Sequence, residues 1–397
     1  MSDLLSRAAD SFPEALFIQD GERTLTFREA ERAVGARGHR PSKVTPRLDA
    51  DSILDVLAAI RSGGAVLMGP KWSAAMVRDR MKALPADRLA GTVIFTSGSS
   101  GPPKAVCLLE SNWEAAGTNS SAFFGFGPGD LWLLCLPLHH VSGLSIVFRA
   151  LCTGGAVLIS PDLRHLSQAD FASLVPTQLN RLTHPGKARA LVIGGGAISA
   201  ALADRVQEWP VIRTYGMTET AAAAASAHLE DGLGALYPLP GLQFRVRDGL
   251  LEVRGPQVSP GYAGEVRRES WFTTADRGAV RGDGSIEIHG RADRVINSGG
   301  EKIDAAAVEQ ALATVGVGDV AAVALPDPEW GEIVAAAYTG ECDTEELRQA
   351  VRDSLGPEAV PRRLLRVGAL PLTDLGKVDY PALLRLFTQQ TESMGSL

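Results

Sequence analysis

The sequence predicts an α/β protein: a large layered N-terminal domain of mainly parallel sheets carrying a β-rich subdomain, then a small, mobile α+β C-terminal lid. Three observations predict this. Ahead of residue 241, short apolar runs that end in glycine alternate with stretches of helical periodicity, as strands and crossover helices do. Residues 241–289 then change character. LQFRVRDGLLEVRG and GSIEIHG alternate apolar and polar residues around Asp-Gly turns, the pattern of antiparallel hairpins. After the polar, charged GRADR at 290–294, a segment of about a hundred residues alternates helix and strand again, and its size suits a lid. The expected domains are 1–290 and 291–397.

Composition bounds the possibilities. At 397 residues with 45% apolar content the chain can bury substantial cores. Its 39 basic and 46 acidic residues give a net charge of −7 with no basic block, which gives a nucleic-acid partner no support. Asp3 and Arg7 interrupt the opening where a signal peptide needs an apolar core. The most apolar long window, 131–152, contains Pro137, His139, His140 and Arg149 and makes a poor membrane span, so a cytoplasmic protein is expected. Four cysteines at 107, 135, 152 and 342 show no metal spacing and read as reduced, small apolar residues.

The elements follow in order. LTFREAERAV (25–34) and DSILDVLAAIRSGG (51–64) have helical spacing, the second ending at glycines, and AVLMGP (65–70) is a short strand. GTVIF (91–95) reads as a buried strand, SNWEAAGTNSSAFFG (111–125) as a helix, and 130–151 as strand, loop and apolar helix. GGAVLIS (154–160) and ARALVIGGGAIS (188–199) are strands ending in glycine, with a helix expected around ASLVPTQLNRL (172–182). VIRTYGMTET supplies another strand end, and the run Ala221 to Ala225 behind it is a helix former that serves packing. In the C-terminal segment AAAVEQALAT and TEELRQAVRDSL read as helices, and DVAAVALPD, IVAAAYTG and RLLRVGALP as strands.

The candidate chemistry begins at TSGSSGPPK, residues 96–104, which leaves a strand end. Gly98 and Gly101 let backbone N–H groups turn toward an anion; Thr96, Ser97, Ser99 and Ser100 add hydroxyls, and Lys104 adds charge. A plain Ser/Gly surface turn is the alternative, and a nucleotide-hydrolase P-loop is a poor fit because Ala105 follows the lysine. In open α/β sheets ligands bind beyond the carboxyl ends of strands, where Gly194 to Ala197 also lies, although an ordinary tight turn needs the same glycines. In TYGMTET the Glu219 carboxylate can bind a hard cation, Thr218 can donate to a phosphate and Tyr215 offers a ring face to a base.

TSGSSGPPKAV resembles the phosphate loop of the adenylate-forming superfamily, the acyl-CoA and aryl-CoA synthetases. The resemblance recurs in order through TYGMTET (214–220), TTADRG (273–278), GRADRVINSGGEKI (290–303) and PLTDLGKVD (371–379). It implies a ligase that joins a carboxylate to ATP with loss of pyrophosphate, then passes the acyl group from the adenylate to the thiol of coenzyme A. Under it, residues 96–104 hold the β- and γ-phosphates, and Gly195, Gly196, Ala197, Tyr215, Gly216 and Met217 surround the nucleotide. Thr218 and Glu219 act at the phosphates, with Glu219 binding Mg²⁺. Asp276 and Arg291 contact the ribose, and Asp293 is the hinge. Lys377 reaches the α-phosphate and the substrate carboxylate, while Gly299, Gly300 and Lys302 serve the coenzyme A tunnel. His140 falls where the family keeps an aromatic or imidazole group near the incoming carboxylate.

The short chain, LPLHHVSGLSIVFR and ASLVPTQLNRL together look most like the o-succinylbenzoate CoA ligases of menaquinone biosynthesis. In that subgroup's pattern an arginine nine residues beyond the motif histidine falls at Arg149 and pairs with the distal carboxylate or keto group of a dianionic acid. Another aryl or fatty acid, transfer to a carrier-protein thiol, and a non-catalytic adenylate-binding protein stay open. The expected partners are a small carboxylic acid, ATP and coenzyme A; neither membrane insertion nor nucleic acid is expected, and a homodimer is among the oligomeric options.

Overall fold

The computed structural model of the chain describes residues 3–38, 43–69, 91–96, 104–265, 270–373 and 376–394. The chain divides into two compact units: Met1–Arg245 with Glu252–Thr273 and Val280–Glu287, and Ile288–Leu397 with Val246–Leu251 and Thr274–Ala279. No helix among the described residues is long and apolar enough to cross a membrane.

The first unit holds a nine-stranded sheet among its described residues. Its order is β13 (Tyr237–Pro238), β12 (Ala222–His228), β11 (Val211–Met217), β10 (Ala190–Ile193), β9 (Phe171–Leu174), β7 (Leu131–Leu134), β8 (Ala156–Ile159), β1 (Leu16–Asp20) and β2 (Arg23–Thr26). Every neighbouring pair from β11 to β1 is parallel; the antiparallel pairs are β1 with β2 at one end and β11 with β12 and β12 with β13 at the other. The mainly parallel sheet expected from the strand and helix alternation is borne out, and it brings the carboxyl ends of β10 and β11 side by side. A second sheet runs β16 (Gly261–Tyr262), β6 (Lys104–Leu109), β5 (Gly91–Thr96), β4 (Ala65–Leu67) and β3 (Lys43–Val44).

Helices α1 (Leu4–Ser11), α2 (Phe27–Ala36) and α3 (Ala50–Arg61) join this core, α2 opening with a reciprocal capping box between Thr26 and Glu29. Helices α4 (Glu110–Phe124) and α5 (Val141–Thr153) cross closely because Gly117 has no side chain. A Cβ there would lie 2.7 Å from Cys152 Sγ and 3.0 Å from the Phe148 carbonyl oxygen. The close approach stacks Trp113 on Phe148, ring centroids 4.5 Å apart, and both are fully buried.

Two local expectations need correction. The helix expected over 172–182 is confined to α6 (Pro176–Arg181), because Phe171–Leu174 is strand β9, buried along its whole length between β7 and β10. Pro176 takes the first helical turn, where its missing N–H costs nothing, and so sets the start. The alanine run 221–225 is not helical. From Ala222 it forms β12, hydrogen-bonded to β11, and its sheet position overrides alanine's helix propensity. Its packing role stands, since Ala223, Ala224 and Ala225 are all buried.

The chain continues from α7 (Ala200–Arg205) into a four-stranded sheet of order β14 (Gln243–Arg247), β15 (Leu250–Arg254), β17 (Phe272–Val280) and β18 (Ile286–Arg291). Asp248 and Gly249, at φ 52° and 78°, make the two-residue turn that an Asp-Gly pair predicts. The second unit carries the sheet β20 (Glu301–Asp304), β19 (Val295–Ser298), β22 (Gly331–Tyr338), β21 (Val320–Asp327), with β23 (Arg363–Arg366) parallel to β22. Alternate residues of β21 and β22 enter two cores. Ala322, Val334 and Ala336 pack with α8 (Ala305–Ala313) and α9 (Thr344–Leu355), whereas Val323, Ile333 and Ala335 pack with α10 (Tyr380–Met394). With both faces covered, these strands read as continuous apolar runs.

Candidate active site

Strands β5 and β6 pair antiparallel in register down to Thr96 opposite Lys104. These two residues hold the ends of the proposed phosphate loop; Ser97, Gly98, Ser99, Ser100 and Gly101 lie outside the described residues. Lys104 is exposed, and its Nζ sits 5.1 Å from the centroid of the Tyr262 ring.

At the end of β11 the chain makes a 3-10 turn, Thr218–Thr220. Gly216 is required there, because a Cβ would stand 1.9 Å from the Ala222 carbonyl oxygen. Ala221 and Ala222 adopt φ of 50° and 89°, conformations that cost a non-glycine residue roughly 1–3 kcal/mol each and persist only when their surroundings fix them. Those surroundings are visible. Thr220 Oγ1 accepts from the Met217 N–H at 3.0 Å and donates to the Ala222 carbonyl at 2.8 Å. The buried Gln257 amide donates to the carbonyls of Thr220 and Ala223 at 2.8 and 2.6 Å.

The turn presents Glu219. Its carbonyl accepts the Ser259 N–H at 2.7 Å, and its Oε1 accepts the Tyr262 hydroxyl at 2.9 Å. Burial first, and then the Glu219 charge, raise the Tyr262 pKa well above the usual phenol range, so this hydroxyl stays a donor. The first unit thus brings Lys104 to the ring face and Glu219 to the hydroxyl of one tyrosine that sequence reasoning missed.

Beside β11, Gly195 (φ 81°), Gly196 and Ala197 form an exposed loop after β10. Gly194 is tight against the strand that follows: a Cβ would come within 2.8 Å of Thr214 Oγ1. Tyr215, Gly216 and Met217 finish β11, with the Tyr215 ring 6.2 Å from that of Phe244.

His140 is the N-cap residue of α5, its ring 4.3 Å from that of His139 and its Nε2 sequestered from solvent. The approach depends on Gly143, where a Cβ would meet the Pro137 carbonyl oxygen at 2.4 Å. Arg149 is 3% exposed and so is not a solvated residue at the helix end. Its Nε donates to Ser120 Oγ at 2.9 Å and its Nη1 to Ser145 Oγ at 3.1 Å, and its guanidinium lies 4.8 Å from the Trp132 ring centroid. Among the described residues no carboxylate pairs with it, and burial pushes its pKa down to about 9.

The second unit assembles another cluster. Arg291, closing β18, donates two hydrogen bonds to Asp293 at 2.8 and 2.6 Å, and its Nη1 lies 3.6 Å from the buried Asp276 carboxylate on β17. Lys377 follows Gly376 (φ 72°) in a turn closed by the Thr373 N–H donating to the Lys377 carbonyl at 2.7 Å. Although Lys377 is an exposed residue, desolvation of its ammonium and then the nearby Arg291 charge lower its pKa. Gly299 (φ 61°) and Gly300 (φ 95°) form the two-residue turn between β19 and β20. A Gly299 Cβ would meet the Trp330 ring at 2.5 Å, so this glycine also has a packing reason, and Lys302 beyond it is exposed.

Comparison with known proteins matches residues 68–266 to the AMP-binding enzyme family and residues 307–377 to the AMP-binding enzyme C-terminal domain. The chain belongs to the AMP-binding enzyme family. Among relatives of this AMP-binding enzyme is a 2-succinylbenzoate-CoA ligase of Listeria monocytogenes serotype 4b (strain F2365), 30% identical over 73% of this chain and 68% of that protein. The o-succinylbenzoate CoA synthetase (MenE) of Bacillus subtilis, solved with its acyl-adenylate intermediate, shares the fold at TM-score 0.85 and 23% identity, covering 96% of this chain and 98% of that one. A variant of E. coli MenE with bound OSB-AMS aligns at TM-score 0.81 and 26% identity over 98% of both chains. The fold class and superfamily expected from the sequence are borne out.

Proposed function

We propose that this chain is an ATP-dependent acid-CoA ligase acting through an acyl-adenylate, and that its acid is o-succinylbenzoate, a step of menaquinone biosynthesis. The observation that carries the acid is Arg149. A guanidinium buried with only two hydroxyls and aromatic faces around it costs several kcal/mol more than one that is paired, and an anionic ligand group removes that deficit. Position supports the pairing. Nine residues of helix separate His140 from Arg149 by about 13 Å, but the bond to Ser145 shows the side chain running back one turn, which shortens the span to about 8 Å. A dicarboxylic acid of this size fits with one carboxylate near His140 and the other at Arg149.

In the first half-reaction the acid's carboxylate, ionised at neutral pH, attacks the α-phosphorus of ATP and pyrophosphate leaves. In the second, the coenzyme A thiol attacks the acyl-adenylate carbonyl and AMP leaves. Thr96 to Lys104 and Thr218 hold phosphate oxygens. Gly195 to Ala197 and Tyr215 to Met217 bound the nucleotide, and Asp276 and Arg291 bind its ribose. Lys377 neutralises charge developing between the α-phosphate and the attacking carboxylate. Glu219 fits Mg²⁺: among the described residues no cluster of three acidic, His or Cys ligands exists, and a magnesium ion carried by substrate phosphates needs only one or two protein carboxylates. Bound there, the ion supplies positive charge to phosphate oxygens.

The domains we propose are 1–290 and 291–397. Rotation about Asp293 exchanges Lys377 for the loop of Gly299, Gly300 and Lys302, which then faces coenzyme A. The enzyme's place is the cytoplasm, and a measurement of solution size decides between monomer and homodimer.

The test is pyrophosphate release with ATP and Mg²⁺ against o-succinylbenzoate, benzoate and a medium-chain fatty acid, each with and without coenzyme A. Turnover confined to o-succinylbenzoate and dependent on coenzyme A is the expected result. Turnover of another acid removes the pathway assignment and leaves the ligase, and release with none removes the ligase.

A further inference from the structure

Residues 256–263, to which no motif was assigned, tie the turn that carries Glu219 to the strand that carries Lys104. On one side Gln257 and Ser259 bond the main chain of Thr220, Ala223 and Glu219. On the other, Ser259 Oγ donates to the Cys107 carbonyl at 2.6 Å, the Ala263 N–H donates to the Ala105 carbonyl at 2.8 Å, and β16 pairs Tyr262 with Val106 on β6. The strap therefore sets the register of two different sheets. Tyr262 then uses both ends of its side chain, the hydroxyl on Glu219 Oε1 and the ring face under the Lys104 ammonium.

We propose that Tyr262 is a positioning residue for the metal-nucleotide. Its hydroxyl fixes one oxygen of Glu219 so that the other is presented to the cation, and its ring supports the Lys104 ammonium apart from Glu219. Without such a spacer two opposite charges on neighbouring elements, Lys104 exposed and Glu219 half-buried, collapse onto each other, and each must be freed before it can meet a phosphate or a metal ion. Among the described residues no ion pair joins Lys104 to Glu219, as a spacer requires.

The proposal rests on the roles given above to Lys104 and Glu219, and its test separates the two. Calorimetric Kd values are measured for ATP in EDTA and for ATP with excess Mg²⁺, on the native chain, Tyr262→Phe and Tyr262→Leu, alongside thermal melts. The native chain is expected to bind ATP more tightly with Mg²⁺. Phenylalanine keeps the ring and loses the donor: it should leave the EDTA Kd and the Tm near native and shrink the Mg²⁺ preference about tenfold, as loss of a hydrogen bond to a charged group implies. Leucine should in addition weaken binding in EDTA several-fold, a loss the phenylalanine variant rescues. An unchanged Mg²⁺ preference in Tyr262→Phe overturns the positioning role, as does an increased one, which would make the hydroxyl a competitor of the cation. Equal losses in both media accompanied by a lowered Tm reduce Tyr262 to a packing residue. Native protein that binds ATP in neither medium overturns the reading of Lys104 and Glu219, and the Tyr262 role falls with it.

Discussion

Arg149 and Lys377 are both cations whose surroundings depress their proton affinity, for different reasons and with different consequences. Arg149 is withdrawn from water, and among the described residues no carboxylate pairs with it. Arg149→Leu is expected to raise the KM for o-succinylbenzoate on the order of a hundredfold, the scale of a lost buried charge pair. Because replacing an uncompensated buried charge with apolar volume is commonly neutral or stabilising, the same variant should melt at or above the native Tm. A steady-state KM and a thermal melt check both halves, and an unchanged KM removes the contact. Lys377 has its pKa lowered by desolvation and by Arg291, so its charge is fully present at low pH and is lost as pH rises through a value below the usual 10.5. Adenylation should accordingly show an alkaline decline below the ordinary lysine range, a decline that Lys377→Arg shifts upward. Lys377→Ala is expected to abolish pyrophosphate release while sparing thioester formation from supplied acyl-adenylate; equal loss in both half-reactions would contradict its role. Both residues were singled out in the sequence because each sits at a fixed place in a contiguous motif. Tyr262 was not, since its partner Glu219 is 43 positions away and the two are brought together by the bonds that Gln257 and Ser259 make to the main chain of the Glu219 turn.

At the scale of elements the sequence signals were reliable wherever local geometry alone decides the outcome. The Asp248-Gly249 hairpin turn and the glycine-terminated α3 follow from preferences of the local backbone. They failed where a neighbour decides. Ala222–His228 carries no β-branched residue and is a strand because β11 supplies its hydrogen bonds and because small side chains suit a sheet buried under helices. The same crowding makes a prediction about the bend between these strands. Gly216→Ala places a methyl group 1.9 Å from the Ala222 carbonyl oxygen, and backbone cannot give way there without opening the Thr218–Thr220 turn. Such a variant should lose roughly 3 kcal/mol or more in urea unfolding, and any folded fraction should bind ATP without a preference for Mg²⁺. Native stability together with a native Mg²⁺ preference would mean that the turn is more adaptable than its contacts imply.

For the whole molecule, the layered α/β class and the α+β C-terminal region were legible because strand and helix periodicities change character along the chain. The compact units are less simple than a cut at one residue: the C-terminal unit also takes in 246–251 and 274–279, so Asp276 belongs with Arg291 and Asp293 rather than with Glu219. No composition shift marks that exchange, because a hairpin contributes to whichever unit its contacts favour. Its consequence is chemical. The proposed ribose contacts, Asp276 and Arg291, are bonded to the proposed hinge, Asp293, through one guanidinium. If Asp293 is the pivot, it must change backbone dihedrals between half-reactions, which proline forbids by fixing φ near −65°. Asp293→Pro is then expected to retain one half-reaction within a few-fold and to lose the other by about a hundredfold or more. Asp293→Ala, which keeps φ free and removes only the bonds to Arg291, should retain both half-reactions and weaken nucleotide affinity modestly. Separate assays of pyrophosphate release and of thioester formation from supplied acyl-adenylate make the comparison. If proline slows both steps no more than alanine does, the pivot lies elsewhere in the chain, and the bond from Arg291 to Asp293 serves to hold Arg291 toward the ribose.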